Sequence, residues 1–172
     1  MKSRQPKLVA AEGLMEYALR LLGGRACSTG ELRQKLRRKA ENPDDIEGVV
    51  ARLKELGYLN DKRFADAYAT ARLENQGFGK MRVLRDLRQR RVAPGVAEQA
   101  VQHVFEDTDE IKLIEEFLRR KFPRDDLART LADEKKLAAA YRRLRYAGFG
   151  AGNSIRVLKR YAAKAEELEE SD

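Results

Sequence analysis

The chain has 172 residues, 37% charged and 42% hydrophobic, with four prolines and no tryptophan, a mixture that excludes a disordered chain and favours a helix-rich protein over a β-rich one. A net charge of +8, from 36 Lys and Arg against 28 Asp and Glu, points to an anionic partner, most often a nucleic acid, with ribosomal or membrane-surface contact as other sources. Cys27 alone excludes an internal disulfide, and residues 1–13 hold no apolar stretch fit for a secretory signal or membrane span, so a reducing cytoplasm and no membrane are expected.

Residues 1–12 read as a flexible lead. Leu14, Tyr17, Ala18 and Leu21 then share one helical face, so a first helix is expected over 14–22, ending at Gly23 and Gly24. Ser28 with Glu31 three positions on forms a capping box for a second helix over 29–40, with Leu32, Leu36 and Ala40 on one face. Asn42, Pro43 and Asp44 interrupt the chain. Ile46, Val49, Val50, Leu53 and Leu56 mark a third helix.

The stretch GYLNDKRFADAYATAR at 57–72 reads as a rigid elbow. Gly57 suits the left-handed residue after the third helix, which places Tyr58 for a Schellman contact with Leu53. Asn60 suits an N-cap, and Leu59 with Phe64 then occupy the two positions of a hydrophobic staple. Burial of Tyr58, Leu59 and Phe64 is expected. As a catalytic loop the segment lacks a nucleophile and base pair.

The three-helix plan then recurs. Phe64, Ala67, Tyr68 and Ala71 stripe a fourth helix stopping near Gly77; Met81, Leu84 and Leu87 a fifth; Val96, Ala100, Val101 and Val104 a sixth, with Pro94 in its first turn. Asp107 and Glu110 read as a capping pair ahead of Ile111, Ile114, Phe117 and Leu118. Leu137, Ala140, Tyr141 and Leu144 precede a last stripe of Ile155, Leu158 and Ala162. KLRRKAENPDDI, DLRQRRVAPGV and RLRYAGFGAGNSI each contain a Leu-Arg pair, a breaker and an apolar residue opening the next helix. This internal repeat favours an all-α stacked array over one bundle, with repeats at 13–60, 61–106 and 107–164 and an acidic tail at 165–172. Pro123, Asp125 and Asp126 open a segment, 123–136, that periodicity leaves as either a short helix or a linker.

Catalytic chemistry is not legible. His103 is the only histidine and Cys27 the only thiol, so the usual Cys and His metal sites cannot be assembled, and no catalytic residue, metal or cofactor is expected. GFGAGNS at 148–154 lacks the preceding strand and the lysine of a phosphate loop and reads as a helix breaker. The acidic pairs Asp44–Asp45 and Asp125–Asp126 stand at expected helix starts, where the macrodipole explains them.

The basic residues say more. KMRVLRDLRQRR at 80–91 holds six Lys or Arg and one Asp, with Arg82, Arg85 and Arg88 spaced by three. Arg33, Arg37, Arg38 and Lys39 repeat this in the first trio, and Arg142, Arg143 and Arg145 in the third. Such residues suit a phosphate backbone or an acidic protein groove, so single- or double-stranded DNA is a candidate partner. No aromatics stand between them in sequence to suggest base stacking.

STGELRQKL, VVARLKELGYLNDKRFADAYATAR, DLRQRRV and RRLRYAGFGAGNSIRVLK together resemble the RecX family of recombination regulators over residues 13–162, most specifically in GYLND-x-RFA. The resemblance implies an elongated, curved array of three tandem three-helix repeats, of a hand left open here. It also implies a protein that binds the RecA recombinase filament, suppresses its ATPase and strand-exchange activities, and performs no catalysis; a monomer is expected. One departure is Arg91, which stands where the family often has glycine; another is the 123–136 connector. The alternative function is a helix-turn-helix DNA-binding transcriptional regulator on residues 28–56, opposed by the acidic third helix with Asp44, Asp45, Glu47 and Glu55.

Overall fold

The computed structural model describes residues 8–122 and 127–162. Pro123, Asp125, Asp126 and the acidic tail lie outside them. The described residues form an all-α array: α1 (Ala11–Gly24), α2 (Thr29–Arg37), α3 (Asp45–Glu55), α4 (Asp61–Ala71), a π-helical turn (Arg72–Gln76), α5 (Lys80–Gln89), α6 (Pro94–Val104), α7 (Glu110–Lys121), α8 (Leu127–Leu131), α9 (Glu134–Tyr146) and α10 (Ala151–Leu158). The chain divides into two compact units, Met1–Ala67 with Leu87–Ala100, and Tyr68–Asp86 with Val101–Asp172. The second repeat contributes to both.

In the first unit, α1, α2 and α3 enclose Leu14, Ala18, Leu32, Leu36, Ile46, Val50 and Leu53, with Leu59 closing the cluster. Each full burial of a leucine favours folding by about 1.5–3 kcal/mol. The capping box at Ser28 forms as its spacing predicts: Glu31 N donates to Ser28 Oγ at 3.0 Å, and Ser28 N to the Glu31 carboxylate at 3.2 Å. Val9, expected within a flexible lead, is held by two backbone hydrogen bonds, donating to Lys39 O at 2.8 Å and accepting from Glu41 N at 3.0 Å.

The elbow has the expected backbone and a different surface. Gly57 has φ +75°. Tyr58 N donates to Leu53 O at 2.9 Å and Gly57 N to Lys54 O at 3.0 Å, the two bonds of a Schellman motif. Asn60 Oδ1 caps α4 by accepting from Arg63 N at 2.9 Å. Leu59 is buried and Phe64 half-buried, but Tyr58 is 56% exposed, correcting the expectation that it packs inward. The backbone bonds close this turn whether or not the apolar contact follows.

The same motif ends two further helices. Arg91 N donates to Arg88 O and Val92 N to Leu87 O after α5; Gly148 N donates to Arg145 O and Phe149 N to Leu144 O after α9. Arg91 has φ +58°, so the left-handed turn forms there without glycine. Each of these two turns receives the start of another helix. In the first unit, Ser28 Oγ donates to Arg90 O, and a methyl group at Gly30 would collide with the Arg91 carbonyl oxygen. In the second, Gly79 N donates to Ala147 O at 2.9 Å and Met81 N to Gly148 O at 3.2 Å, and a methyl at Gly79 would strike the Gly148 carbonyl. In the second unit, N–H groups at the start of α5 meeting carbonyls at the end of α9 satisfy both sets of otherwise orphan groups.

Three local expectations change. On α4 the buried face is Ala65 and Ala69, while Ala67 and Ala71 are exposed; on α5 it is Val83 and Leu87, while Met81 is 61% exposed. Aliphatic period alone set the α4 stripe about one or two positions off, whereas on α5 Leu87 is buried as expected and Val83 takes the place of Met81. The N-cap of α7 is Asp109, not Asp107, accepting from Ile111 N and Lys112 N. Glu110 instead accepts from Gly150 N at 3.1 Å and from Asn153, capping α10. In that unit Phe117 and Phe149 meet edge to face at 5.5 Å.

Candidate partner-binding site

Arg82 and Asp86 are four apart on α5, so their side chains share a face. Arg82 Nε donates to Asp86 at 3.0 Å, and Arg72, at the start of the π-helical turn, approaches the same carboxylate at 3.7 Å. Rings interleave with these cations. The Arg72 guanidinium lies 4.8 Å from the Tyr68 ring centroid, and that of Arg82 lies 5.2 Å from Phe78 and 4.4 Å from Tyr146. Arg85 lies 5.7 Å from the same Tyr146 ring and donates to the Tyr146 carbonyl at 3.1 Å. Docking of the α5 start on the α9 end, through Gly79 and Met81, brings Tyr146 to α5. Aromatics therefore stand between the arginines in space although none does in sequence, which corrects the earlier expectation.

Beside this ladder runs a groove of about 650 Å³ on the second unit. Phe78, Phe117, Ala139 and Ala147 give it an apolar floor, and Tyr146, 66% exposed, stands at its side. Lys121, Arg142 and Arg143 also line it. The Lys121 ammonium lies 5.5 Å from the Phe117 ring and the Arg143 guanidinium 5.6 Å from Phe122. None of these three cations forms an ion pair with a described carboxylate.

The arginines singled out by sequence have diverse surroundings. Arg33 is held by Glu47 through two bonds of 2.8 and 2.7 Å, which keeps the Glu47 carboxyl below its ordinary range and raises the Arg33 guanidinium. Arg88 pairs with Glu98 at 3.2 Å. Arg145 donates to Phe149 O at 2.8 Å, clamping the turn after α9. Arg37, Arg38 and Arg142 are exposed and lack an ion pair with a described carboxylate. The structure thus brings Arg82 and Arg85 together on one ring and places Arg142 on the groove in the same unit.

Sequence reasoning missed Phe78, Lys121, Ala139 and Tyr146 as a group. The local signal was there for Tyr146, four residues after Arg142 on α9, but nothing in the sequence links that helix to Phe78 or Lys121. Among the described residues no group of His, Cys, Asp and Glu side chains suits a metal ion, and no helix is long and apolar enough to cross a membrane.

The family model for the first three-helix domain of RecX matches residues 15–53, and that for the second matches residues 60–101. The regulatory protein RecX of Syntrophotalea carbinolica is 31% identical over 132 residues, which cover 77% of this chain and 85% of that protein. That of Mannheimia succiniciproducens is 36% identical over 121 residues, covering 70% and 76%. With RecX of Deinococcus radiodurans the identity is 40% over 105 residues, and the chain spans about half of that relative, 48%. The crystal structure of RecX from Lactobacillus salivarius superposes with a TM-score of 0.67 at 20% identity, covering 92% of this chain and 96% of that one, a likeness of fold.

Proposed function

Since this chain belongs to the RecX family of regulatory proteins, we propose that it binds the RecA recombinase filament in the cytoplasm. There it inhibits ATPase and strand exchange, and so modulates DNA repair and the SOS response without catalysing a reaction. The observation that carries this reading is the pair of tandem three-helix domains matched one after the other along the chain. Tandem units can engage successive subunits of a polymer, so affinity accumulates by multivalency rather than in one deep pocket. Holding successive subunits restrains the motions coupled to ATP turnover. Exposed Arg37 and Arg38 in one unit and Arg142 in the other supply positive charge for such contacts. A helix-turn-helix regulator is disfavoured by α3, where Glu47 and Glu55 are exposed and pair with Arg33 and Arg52.

The test is DNA-dependent ATP hydrolysis by purified RecA on single-stranded DNA, with this protein at substoichiometric ratio. Hydrolysis is expected to fall. Unchanged hydrolysis together with a footprint at one operator sequence would reverse the assignment.

A further inference from the structure

We infer that the groove between Phe78, Phe117 and Ala139 docks an acidic peptide segment carrying an aliphatic side chain, contributed by the recombinase itself. The partner's identity rests on the function proposed above; the chemistry of the occupant rests on the groove alone.

Two features select that chemistry. The floor is apolar, and its volume of about 650 Å³ falls in the range of about 300–1,000 Å³ found for pockets that enclose ligand groups. An aliphatic side chain entering it would remove apolar surface from water on both sides. Around it stand Lys121, Arg142 and Arg143, none paired with a described carboxylate. Other arginines do have acidic partners, as in Arg33–Glu47, Arg52–Glu55, Arg82–Asp86 and Arg88–Glu98, but here three cations without a described acidic partner gather around one apolar surface. Unneutralised cations around an apolar floor are complementary to carboxylates flanking an apolar residue.

A single-stranded nucleic acid would also satisfy the cations, but it would ask the aromatic side chains to stack with bases, and a duplex would meet the cations through its phosphates and leave the apolar floor unfilled. Those rings already carry cations: Phe78 and Tyr146 face Arg82 at 5.2 and 4.4 Å, and Phe117 faces Lys121 at 5.5 Å. The Ala139 side of the floor has no aromatic surface to offer. A carboxylate-bearing peptide binds without displacing any of these contacts.

The experiment uses the full chain and two variants, Ala139→Glu, which puts a carboxylate on the floor, and Arg142→Lys with Arg143→Lys, which keeps the charge. Circular dichroism verifies that each is folded. The first probe is a short fluorescein-labelled peptide of repeated Glu-Glu-Leu triplets, followed by anisotropy. The second is RecA filament, cross-linked through benzoylphenylalanine placed at Ala139 and mapped by mass spectrometry. The wild type and the double lysine variant are expected to bind the peptide, Ala139→Glu about tenfold more weakly or worse, and the cross-link to fall on an acidic segment of the recombinase. Equal peptide binding by Ala139→Glu overturns the groove while leaving filament regulation standing. A cross-link to DNA, or to a neutral or basic segment, overturns it as well. Peptide binding lost in Ala139→Glu but no association of the wild type with filaments upholds the groove chemistry and removes the recombinase as its source.

Discussion

The guanidinium of Arg82 lies 4.4 Å from the centroid of the Tyr146 ring, while its Nε donates to Asp86 at 3.0 Å. One arginine on α5 is thereby fixed from two directions, by a carboxylate one turn on along its own helix and by a ring from the end of α9. A guanidinium on an aromatic face contributes roughly 0.5–2 kcal/mol, depending on how far it is desolvated.

Asp86 is the only described carboxylate paired with Arg72 and Arg82, and it is 8% exposed. Replacing it with alanine leaves two partly buried guanidinium groups facing each other without a counter-charge. Asp86→Ala is expected to lower unfolding stability by about 3 kcal/mol, as for the loss of one partner from a largely buried pair. Urea denaturation of the two proteins measures this, and coincident curves would mean that solvent already screens both arginines.

Gly57 and Gly148 share a left-handed backbone, with φ of +75° and +92°, but not an environment. A methyl at Gly57 meets no atom within 4 Å, whereas one at Gly148 runs into the backbone of Arg82. Gly57→Ala should therefore cost about 1–2 kcal/mol of backbone strain alone, and Gly148→Ala clearly more, because α5 must move off the α9 turn. The ranking is read from thermal unfolding midpoints.

Arg91 holds φ +58° without being glycine. Arg91→Gly relieves left-handed strain of about 1–2 kcal/mol, offset by greater freedom of the unfolded chain of about 0.4–1 kcal/mol and by loss of the 2.9 Å bond to Gln34. A small net stabilisation, up to about 1 kcal/mol, is expected in chemical denaturation. A lower midpoint would assign the Gln34 bond more weight than the backbone.

Leu59 and Tyr58 are neighbours with opposite fates, 3% and 56% exposed. Leu59→Ala should cost about 2–5 kcal/mol through the cavity it leaves, and Tyr58→Ala no more than about 0.5 kcal/mol. Equal losses in a denaturation series would restore the inward packing of Tyr58.

Burial raises the Cys27 thiol above its ordinary value. The unfolded thiol ionises first as pH rises, so between the unfolded and folded values the native state holds the extra proton and stability falls with increasing pH. Cys27→Ala should lose this alkaline component, seen as a flatter dependence of unfolding midpoint on pH above the ordinary thiol range. Native Cys27 should also react slowly with an aromatic disulfide reagent.

Elements whose cause is local were legible in the chain. The Ser28–Glu31 capping box, the left-handed Gly57 and the Asn60 cap each depend on groups within a few residues, and helix period followed from apolar spacing. The buried face of α4 was displaced because alanines fit where backbones approach closely, and on α5 Val83 rather than Met81 turned inward beside Leu87; only the neighbouring elements decide such matters. Arg82, Arg85 and Arg88 look alike as a spaced triplet, yet one is held by Asp86 and Tyr146, one by a backbone carbonyl and one by Glu98. The groove likewise required α7, α9 and the segment before α5 to converge, since Phe78, Lys121 and Ala139 lie far apart in sequence and none signals the others. Periodicity and capping are properties of one helix; charge pairing and cavity walls belong to surfaces that exist only once several helices have packed.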